Sequence, residues 1–540
     1  MNLNRNSNLI FILLLFAVSL VYSYPGIMKL RPQGVHQWRQ TDCLSITTNF
    51  YERGMNLMEP EIHCLISDDL TSGKTIGECP ITYYSVAALW KIFGKHEWIY
   101  RLFTMLLFLT GIYYFFKTLQ LIRPDYFWNI MLGISMFTAP LLVYYGSGFL
   151  SDIHAFSLTL ISLFFYFKYG VEQRKKYLII GSMLIVIAGL LKITALILFL
   201  TIGGLFILEL IGIKLWPGRK VFSHRILMLA LLVGGLLVVA SWYIYAERFN
   251  SVHGGKYTFN DIWPFWKASA ERIKEIVERF RAILIYQVFS KPWMYVLLLM
   301  IVLLVMNFRR IPLLISCGLL IMTIGCGMYG ALWFEAFDVH DYYLTNLYIL
   351  PAVVVCGFYY LISSRWPSLF NSRQVKIVLT LIIIWGVAYT TSNINLRFFP
   401  KEEKTYLLTG SQEEVGFYKY SKWAYDQETK QLENIEPYLE SIGVLKDDLV
   451  ITQPDPSFNI NLYLMNRRGW SAMGDEANTE AGMWKRIQRG ASYLVLTNNH
   501  VSEERPFLKR FTSHLHGQFK NILIYDLRPY SSQDSMPQGM

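Results

Sequence analysis

Apolar runs long enough to cross a bilayer recur through roughly the first 400 residues of this chain, and short basic clusters separate them. Only 16% of the 540 residues are charged and 53% are hydrophobic, whereas a soluble domain carries about 25% charged residues. A chain inside a bilayer must satisfy its backbone hydrogen bonds without water, so runs of this kind fold as transmembrane helices. The sequence therefore predicts a polytopic α-helical membrane protein.

The basic residues predict how these helices are oriented. The chain has 50 Lys and Arg against 39 Asp and Glu, and the basic residues lie between apolar runs. That placement follows the positive-inside rule and argues against nucleic acid as a partner. We predict about eleven spans, with the N-terminus in the cytoplasm. The basic clusters on the cytoplasmic side are those at residues 117–123, 168–176, 214–225, 309–310 and 365–376.

Residues 81–93 decide the orientation of every later span. The segment is apolar, but a run of ~10–14 residues is too short to cross and is typical of an interfacial helix. We therefore predict a surface helix here, preceded by an outer polar loop at residues 24–80. The first apolar run, residues 8–23, is predicted to be a retained helix, with a cleaved signal peptide as the alternative.

Two other segments are predicted to lie outside the membrane. Residues 247–291 are polar, and the pattern at 265–285 predicts an amphipathic helix within an outer lid. Residues 400–540 contain no spanning run and are predicted to form a small extracytoplasmic α/β domain, separate from a membrane domain at residues 1–399. Its predicted elements are strands at 448–452, 492–497 and 521–525 and a helix at 480–490.

The six cysteines divide into two groups by position. Cys317, Cys326 and Cys356 lie in apolar runs, where a thiol usually packs as a small apolar group. Cys43, Cys64 and Cys79 lie in the first loop. If that loop is outside, Cys64 and Cys79 could pair; the odd number leaves one thiol free, so the pairing stays open.

Polar side chains recur at the predicted outer ends of the spans. A charge at the bilayer centre costs ~2.5–3.5 kcal/mol even on the lenient insertion scale. Several such residues on one side of the membrane therefore indicate a site. The group consists of His36, Arg39, Asp42, Glu78, Asp152, His154, Lys192, His340, Asp341, Tyr342 and Tyr343.

Each of these residues also has a simpler interpretation. Asp42 could pair with Arg39 on the same helix face, and Glu78 could cap the helix that begins near Pro80. Lys192 could extend along the apolar surface to the interface. Asp152 with His154 could end a helix in water, and residues 340–343 could belong to an interfacial aromatic belt.

With these features the chain resembles the GT-C superfamily of glycosyltransferases. It is similar to the bacterial transferases related to lipid A aminoarabinose transferase and to the protein O-mannosyltransferases. The resemblance covers roughly residues 8–400. It rests on His36-Gln-Trp-Arg-Gln-Thr-Asp42 after the first span, Glu78-Cys-Pro80 before the surface helix, Arg101 at the start of the next span, and Asp152 in the second outer loop.

The resemblance implies roles for the acidic residues. Asp42 takes the position of the family's catalytic carboxylate, while Glu78 and Asp152 match acidic positions that bind a divalent metal or orient the acceptor. Asp42 and Asp152 are accordingly the predicted ligands if Mg²⁺ or Mn²⁺ is bound. The family often has an Asp-Glu pair in the first loop, where this chain has a single aspartate.

A second departure concerns the donor phosphate. A Lys-Pro-Pro motif often follows the family's glutamate, and here the residues are Cys79 and Pro80. The contacts to phosphate would then come from Lys192, His340, Arg248 and Tyr343. His36, Arg39, His154 and Asp341 are predicted to support the site.

The resemblance implies transfer of a sugar, with inversion, from a polyprenyl-phosphate donor in the membrane lipid to an acceptor on the outer, periplasmic face of a bacterial inner membrane. The acceptor stays open between protein, lipid A, surface polysaccharide and another glycolipid. A transporter or lipid flippase is the main alternative function, although such proteins often contain inverted repeats with broken helices. A membrane scaffold is the third.

Overall fold

The computed structural model describes residues 2–255, 262–338, 340–401, 406, 408–498 and 500–531, with side chains from residue 6 onward. The chain forms two compact units. The helical unit contains Met1–Lys29, Tyr100–Tyr243 and Asp261–Phe417, and the sheet unit contains Leu30–Ile99, Ile244–Asn260 and Tyr418–Met540.

The described residues are mostly helical. The first twelve α-helices are α1 (Asn2–Val21), α2 (Tyr24–Ile27), α3 (Gln37–Arg53), α4 (Ile81–Phe93), α5 (Glu97–Ile122), α6 (Tyr126–Ser135), α7 (Pro140–Tyr145), α8 (Ser151–Glu172), α9 (Lys175–Leu191), α10 (Leu196–Leu210), α11 (Arg225–His253) and α12 (Ala270–Arg279). The others are α13 (Ile285–Val288), α14 (Lys291–Met306), α15 (Leu313–Leu332), α16 (Ile349–Arg365), α17 (Pro367–Asn371), α18 (Arg373–Phe398), α19 (Gln412–Ala424), α20 (Glu436–Ser441), α21 (Ile460–Met465), α22 (Glu480–Gln488), α23 (Val501–Glu504) and α24 (Arg528–Ser531).

Six helices within the described residues are long and apolar enough to cross a membrane. They are Glu97–Ile122, Ile193–Leu210, Arg225–His253, Leu313–Leu332, Asp341–Arg365 and Arg373–Phe398. A seventh candidate consists of Ala270–Val288 and Lys291–Met306, two helices bent by 90° at the break between them. The polytopic helical class is thus present, while the number of about eleven spans and their orientation remain predictions.

The span predicted at residues 127–145 is not one continuous helix. It consists of α6, a 3₁₀ turn at Met136–Thr138, and α7. Pro140 is the first residue of α7, and Ala139 before it has an extended backbone. Proline lacks an amide hydrogen and disfavours a helical residue before it, so the helix is interrupted here.

The predicted surface segment forms α4, which has 13 residues. At 1.5 Å per residue it is about 20 Å long, shorter than a hydrocarbon core of about 30 Å. Gly94 ends the helix with a φ of +87°, a conformation that glycine adopts without strain. Val86, Ala87 and Trp90 are buried, and Phe93 is exposed. The position of α4 at the membrane surface remains a prediction.

The predicted lid is partly helical in the described residues. Helix α11 continues to His253, and residues 256–261 lie outside the described residues. The helix predicted at 265–285 corresponds to α12, a π-helical segment at Phe280–Leu284 and α13, which follow one another without a break from Ala270 to Val288. Ser269 begins α12 by accepting a hydrogen bond from the Arg272 backbone N–H, and the Arg272 side chain pairs with Asp338 at 2.6 Å.

A mixed five-stranded sheet forms the core of the sheet unit. Its strands are β1 (Leu449–Gln453), β2 (Gly469–Trp470), β3 (Ala491–Leu496), β4 (Leu515–Phe519) and β5 (Ile522–Asp526), in the order β2-β1-β3-β5-β4. β1 is parallel to β2 and β3, and β5 is antiparallel to β3 and β4. The three strands predicted from the sequence correspond to β1, β3 and β5, and the predicted helix to α22.

The first polar loop packs on this sheet. Cys64 forms a parallel bridge with Gly469 of β2, and the Leu65 N–H donates to the Gly469 carbonyl at 2.7 Å. A side chain at residue 469 would overlap the Val450 carbonyl, so the close approach requires glycine. Leu65 is buried in the same core as Trp470. The predicted boundary at residue 400 remains a prediction, but residues 30–99 belong to the same compact unit as the C-terminal sheet.

The cysteines, all within the described residues, are free thiols. The possible Cys64–Cys79 disulfide is not formed; the Cys64 thiol lies 3.8 Å from the Ser471 hydroxyl. Burial raises the pKa of Cys64 to about 11 and that of Cys79 to about 12. Both thiols are therefore protonated at neutral pH and unreactive.

Candidate active site

Asp42 is nearly buried on α3, with 2% of its surface exposed. Its Oδ1 accepts a hydrogen bond of 2.7 Å from Nδ2 of Asn459, the residue before α21. His36, in a left-handed conformation with φ +60°, precedes the helix that carries Asp42. A charge-assisted hydrogen bond of this length orients the carboxylate.

The same amide connects Asp42 to a buried histidine. Asn459 Oδ1 accepts from the Ser45 hydroxyl and from the Cys64 backbone N–H, at 3.2 Å each. Ser45 Oγ lies 2.7 Å from His63 Nδ1. Asp42, Asn459, Ser45 and His63 thus form one continuous polar network within the sheet unit, and satisfied buried networks of this kind are rigid.

Glu78 pairs with Arg39 in the same unit. The Arg39 guanidinium contacts Glu78 Oε1, and the Tyr83 hydroxyl donates to that oxygen at 3.0 Å. Both charged side chains are buried. Pro80 is the residue before α4 and makes no side-chain cap hydrogen bond, and the capping role considered for Glu78 stays open. The contact with Glu78 gives Arg39 a buried partner beyond its own helix.

In the helical unit, Asp152 pairs with Lys192. Asp152 lies in the first turn of α8 with 0% exposure, and its Oδ1 is 3.1 Å from Lys192 Nζ. The N-terminal turn of a helix stabilises a carboxylate. Lys192 follows the last residue of α9, and its Nζ lies 4.4 Å from the centroid of the Tyr343 ring. The predicted phosphate-binding residues Lys192 and Tyr343 therefore lie together.

Arg101 and Tyr100 hold the loop that leads to Asp152. Arg101 donates to the Ser147 carbonyl at 2.7 Å and stacks its guanidinium over the Phe149 ring at 4.1 Å. The Tyr100 hydroxyl donates to the Phe149 carbonyl at 2.8 Å. Arg101, one of the residues on which the resemblance rests, therefore holds the loop before α8 in position.

His154 and Asp341 occupy different surroundings in the helical unit. His154 is fully buried, with Nε2 2.8 Å from the Thr104 hydroxyl, as in a core histidine. Asp341 accepts hydrogen bonds from Arg397 at 2.6 Å and from the Tyr145 hydroxyl. The His340 ring lies 5.4 Å from that of Tyr342 and 5.9 Å from that of Tyr343.

Several residues with direct contacts to the predicted ones were not identified from the sequence; they are Ser45, His63, Tyr83, Tyr145, Arg397 and Asn459. The position of Arg397 in the sequence could have identified it. It follows the last predicted span on its outer side, where the positive-inside rule makes a basic residue unusual. Arg248, by contrast, is exposed on α11.

A metal centre is not evident among the residues that the structure describes, because no three His, Cys, Asp or Glu side chains are grouped closely enough to hold an ion. Asp42 and Asp152 belong to different units and contact Asn459 and Lys192 respectively. Their roles as ligands of an ion stay predictions, and the proposed chemistry does not depend on one. The requirement for Mg²⁺ or Mn²⁺ stays a prediction, to be tested by loss of transfer in EDTA and recovery with either ion.

The fold is similar to that of solved structures of ArnT, as the resemblance predicted. The solved structures with this fold include apo ArnT from Cupriavidus metallidurans, with a TM-score of 0.55, 13% identity, and coverage of 97% of this chain and 99% of that chain. ArnT bound to undecaprenyl phosphate matches with a TM-score of 0.54, 11% identity and the same coverage. No protein-family model and no curated protein matches this sequence.

Proposed function

We propose that this protein is an integral-membrane glycosyltransferase that moves a sugar from a polyprenyl-phosphate donor to an acceptor on the outer face of a bacterial inner membrane. The observation that carries the proposal is the buried, hydrogen-bonded Asp42 on the first long helix after the N-terminal apolar helix of a GT-C fold. The likeness to ArnT extends over nearly the whole of both chains, and this supports the proposal.

The donor is proposed to be a lipid phosphate because ArnT has been crystallised with undecaprenyl phosphate. Cations near the leaving phosphate would stabilise the negative charge that develops on it. In the helical unit, Lys192 is held between the Asp152 carboxylate and the Tyr343 ring, and His340 lies against the same tyrosine. Lys192, His340 and Tyr343 are therefore the proposed phosphate contacts in that unit, and Arg248 is the proposed contact in the sheet unit.

Asp42 is proposed to be the general base. Its carboxylate would take the proton from an acceptor hydroxyl or amine as that group attacks the anomeric carbon of the donor sugar. The bond between that carbon and the phosphate oxygen breaks, and the phosphate leaves with the electron pair. A single displacement of this kind inverts the configuration at the sugar carbon.

The other acidic residues are proposed to position these groups. Glu78 is fixed by Arg39 and Tyr83 and would orient the acceptor in the sheet unit. Asp152 would hold the Lys192 ammonium in place for the phosphate. His36, His154 and Asp341 are proposed to support the site by fixing neighbouring groups. His36 precedes α3, His154 contacts Thr104, and Asp341 contacts Arg397. Residues 247–291 are proposed to form a lid that excludes water during transfer.

The test is transfer of radiolabelled sugar from a membrane lipid extract by the purified protein in proteoliposomes. Asp42→Asn is expected to abolish transfer and leave the unfolding temperature unchanged, because the amide keeps the shape of the side chain but is not a base. Asp475→Asn is the matched control, since Asp475 is exposed in the same unit. Near-normal turnover of Asp42→Asn would remove Asp42 from the mechanism. Movement of the labelled lipid between leaflets without sugar transfer would indicate a flippase instead.

A further inference from the structure

The sheet unit contains a polar cleft that the proposed chemistry does not use. Its volume is about 400 Å³, within the range of about 300–1,000 Å³ for ligand pockets. The cleft lies at the C-terminal end of α3 and is lined by Asn49, Glu52, Arg53, His63, Lys446, Asp447, Asn466 and Arg468. Every one of these side chains is polar, so the cleft suits a hydrophilic ligand.

Basic side chains dominate the electrostatics of this cleft. Lys95 and Lys446 both bond to Glu52, at 3.1 and 2.8 Å, so two cations share one carboxylate. Arg468 pairs with Glu61 at 2.7 Å. Arg53 is exposed and has no ion-pair partner within the described ranges. The acidic Asp447 is exposed, as are Arg53 and Lys446, so three basic side chains face two acidic ones in the lining.

The pKa of a buried histidine gives independent support for a positive potential. Burial lowers the pKa of His63 well below its ordinary value, and the charges of Lys95, Arg468, Lys446 and Arg53 lower it further. Four cations are thus close enough to His63 to disfavour a fifth positive charge. The imidazole remains neutral, and the positive potential of the surrounding cations favours an anion in the cleft.

The cleft is also connected to Asp42. Asp42, Ser45, Asn49 and Arg53 are spaced at three- and four-residue intervals, so they lie along one face of α3. At 1.5 Å per residue, Asn49 and Arg53 lie roughly 10 to 16 Å along the helix from Asp42. The hydrogen bonds from His63 through Ser45 and Asn459 reach the Asp42 carboxylate.

We infer that this cleft binds an oxyanion, a phosphate or carboxylate carried by the acceptor, roughly 10 to 16 Å along α3 from Asp42. The inference rests on the proposed function and narrows the acceptor to an extended acidic glycan or glycolipid. Arg53 and Lys446 are the cations that contact the oxyanion, and the network from His63 keeps the cleft and the base in a fixed relation. A small neutral sugar would leave both cations unused.

The experiment measures binding to the purified full-length protein without donor, in nanodiscs of phosphatidylcholine at 0.15 M salt. Isothermal titration calorimetry with glucose 6-phosphate, glucuronate and methyl glucoside is expected to show saturable binding of both anions and at least tenfold weaker binding of the neutral sugar. Adding phosphatidic acid to the nanodisc shows where the oxyanion comes from. If phosphatidic acid competes with the anionic sugars, the cleft binds a lipid head group; if it does not compete, the cleft binds an anionic sugar. Either result keeps the cleft as an oxyanion site.

Variants locate the binding. Arg53→Ala with Lys446→Ala is expected to weaken anion binding by about tenfold or more, because a charge-assisted hydrogen bond is lost with each cation. Arg53→Lys should retain binding, and Lys509→Ala, an exposed cation elsewhere in the sheet unit, should bind within twofold of wild type. Equal affinity for anions and methyl glucoside, or unchanged anion binding in the double variant, would overturn the inference.

Because no donor is present, the titration reports on the cleft alone. Loss of sugar transfer with every donor, at intact anion binding, would overturn the proposed function and leave the cleft as a binding site. Intact sugar transfer without anion binding would overturn only the inference that the cleft binds an oxyanion.

Discussion

The hydrogen bond between Asn459 and Asp42 predicts the effect of one isosteric substitution. Asn459 Nδ2 donates to Asp42 at 2.7 Å, while its Oδ1 accepts from Ser45 and from the Cys64 backbone at 3.2 Å. In Asn459→Asp a carboxylate oxygen can keep both acceptor contacts, since its partners are donors. The substitution therefore replaces the amide N–H that donates to Asp42 by a second carboxyl group beside it.

The magnitude follows from these two changes. A hydrogen bond to a charged group contributes about 1.5–3 kcal/mol, and two unit charges 4 Å apart repel by about 4 kcal/mol at an effective dielectric constant of 20. Two carboxylates at this separation are not both ionised, so the pair retains a proton. If Asp42 is the base, kcat/KM should fall by about 10- to 150-fold near neutral pH and recover as the pH rises.

The assay is the radiolabelled transfer reaction, followed from about pH 5 to pH 9, with the unfolding temperature measured at each pH. Asn521→Asp is the matched control, because it makes the same change of charge at an exposed position in the sheet unit. We expect the control to remain within twofold of wild type. Wild-type rates and an unshifted pH profile for Asn459→Asp would refute a role for this hydrogen bond in catalysis.

Two further predictions concern a cation and a buried acid. Lys192→Ala is expected to lower kcat/KM for the donor by about tenfold or more and to leave the acceptor KM within twofold, because one charged contact to phosphate is lost. The double variant with Asp152→Asn controls for the carboxylate left without its partner. Equal effects on donor and acceptor would mean that Lys192 has only a structural role. Burial raises the pKa of Asp455 from 3.8 to about 6, although Ser457 and Asn461 donate hydrogen bonds to it. Because the folded pKa lies above the unfolded one, the stability that Asp455 contributes is fully present below about pH 4 and is lost as the pH rises through about 6, a change of about 3 kcal/mol at most. The unfolding temperature should fall over that interval in wild type and not in Asp455→Asn, and the same fall in both would assign it to another group.

Local patterns were sufficient for the class of fold. Long apolar runs identified helices such as α5 and α18, and short apolar runs identified β1, β3 and β5, because hydropathy and periodicity act over neighbouring residues. The two remaining strands lacked such patterns. β2 has only two residues, and β4 contains His516, Gly517 and Gln518. The break at Pro140 also had a local signal, since proline interrupts a helix wherever it occurs inside one.

The sequence by itself determined that the chain is a polytopic helical protein, and it marked Asp42, Glu78 and Asp152 as unusual, because acidic residues recur in successive loops on one predicted side of the apolar spans. Tertiary structure alone decided which groups these carboxylates contact. Asn459 is 417 residues from Asp42 in the chain, and the four cations around His63 come from four separate segments. Hydrogen bonds and Coulomb forces depend on distances in space, and only the folded chain sets those distances.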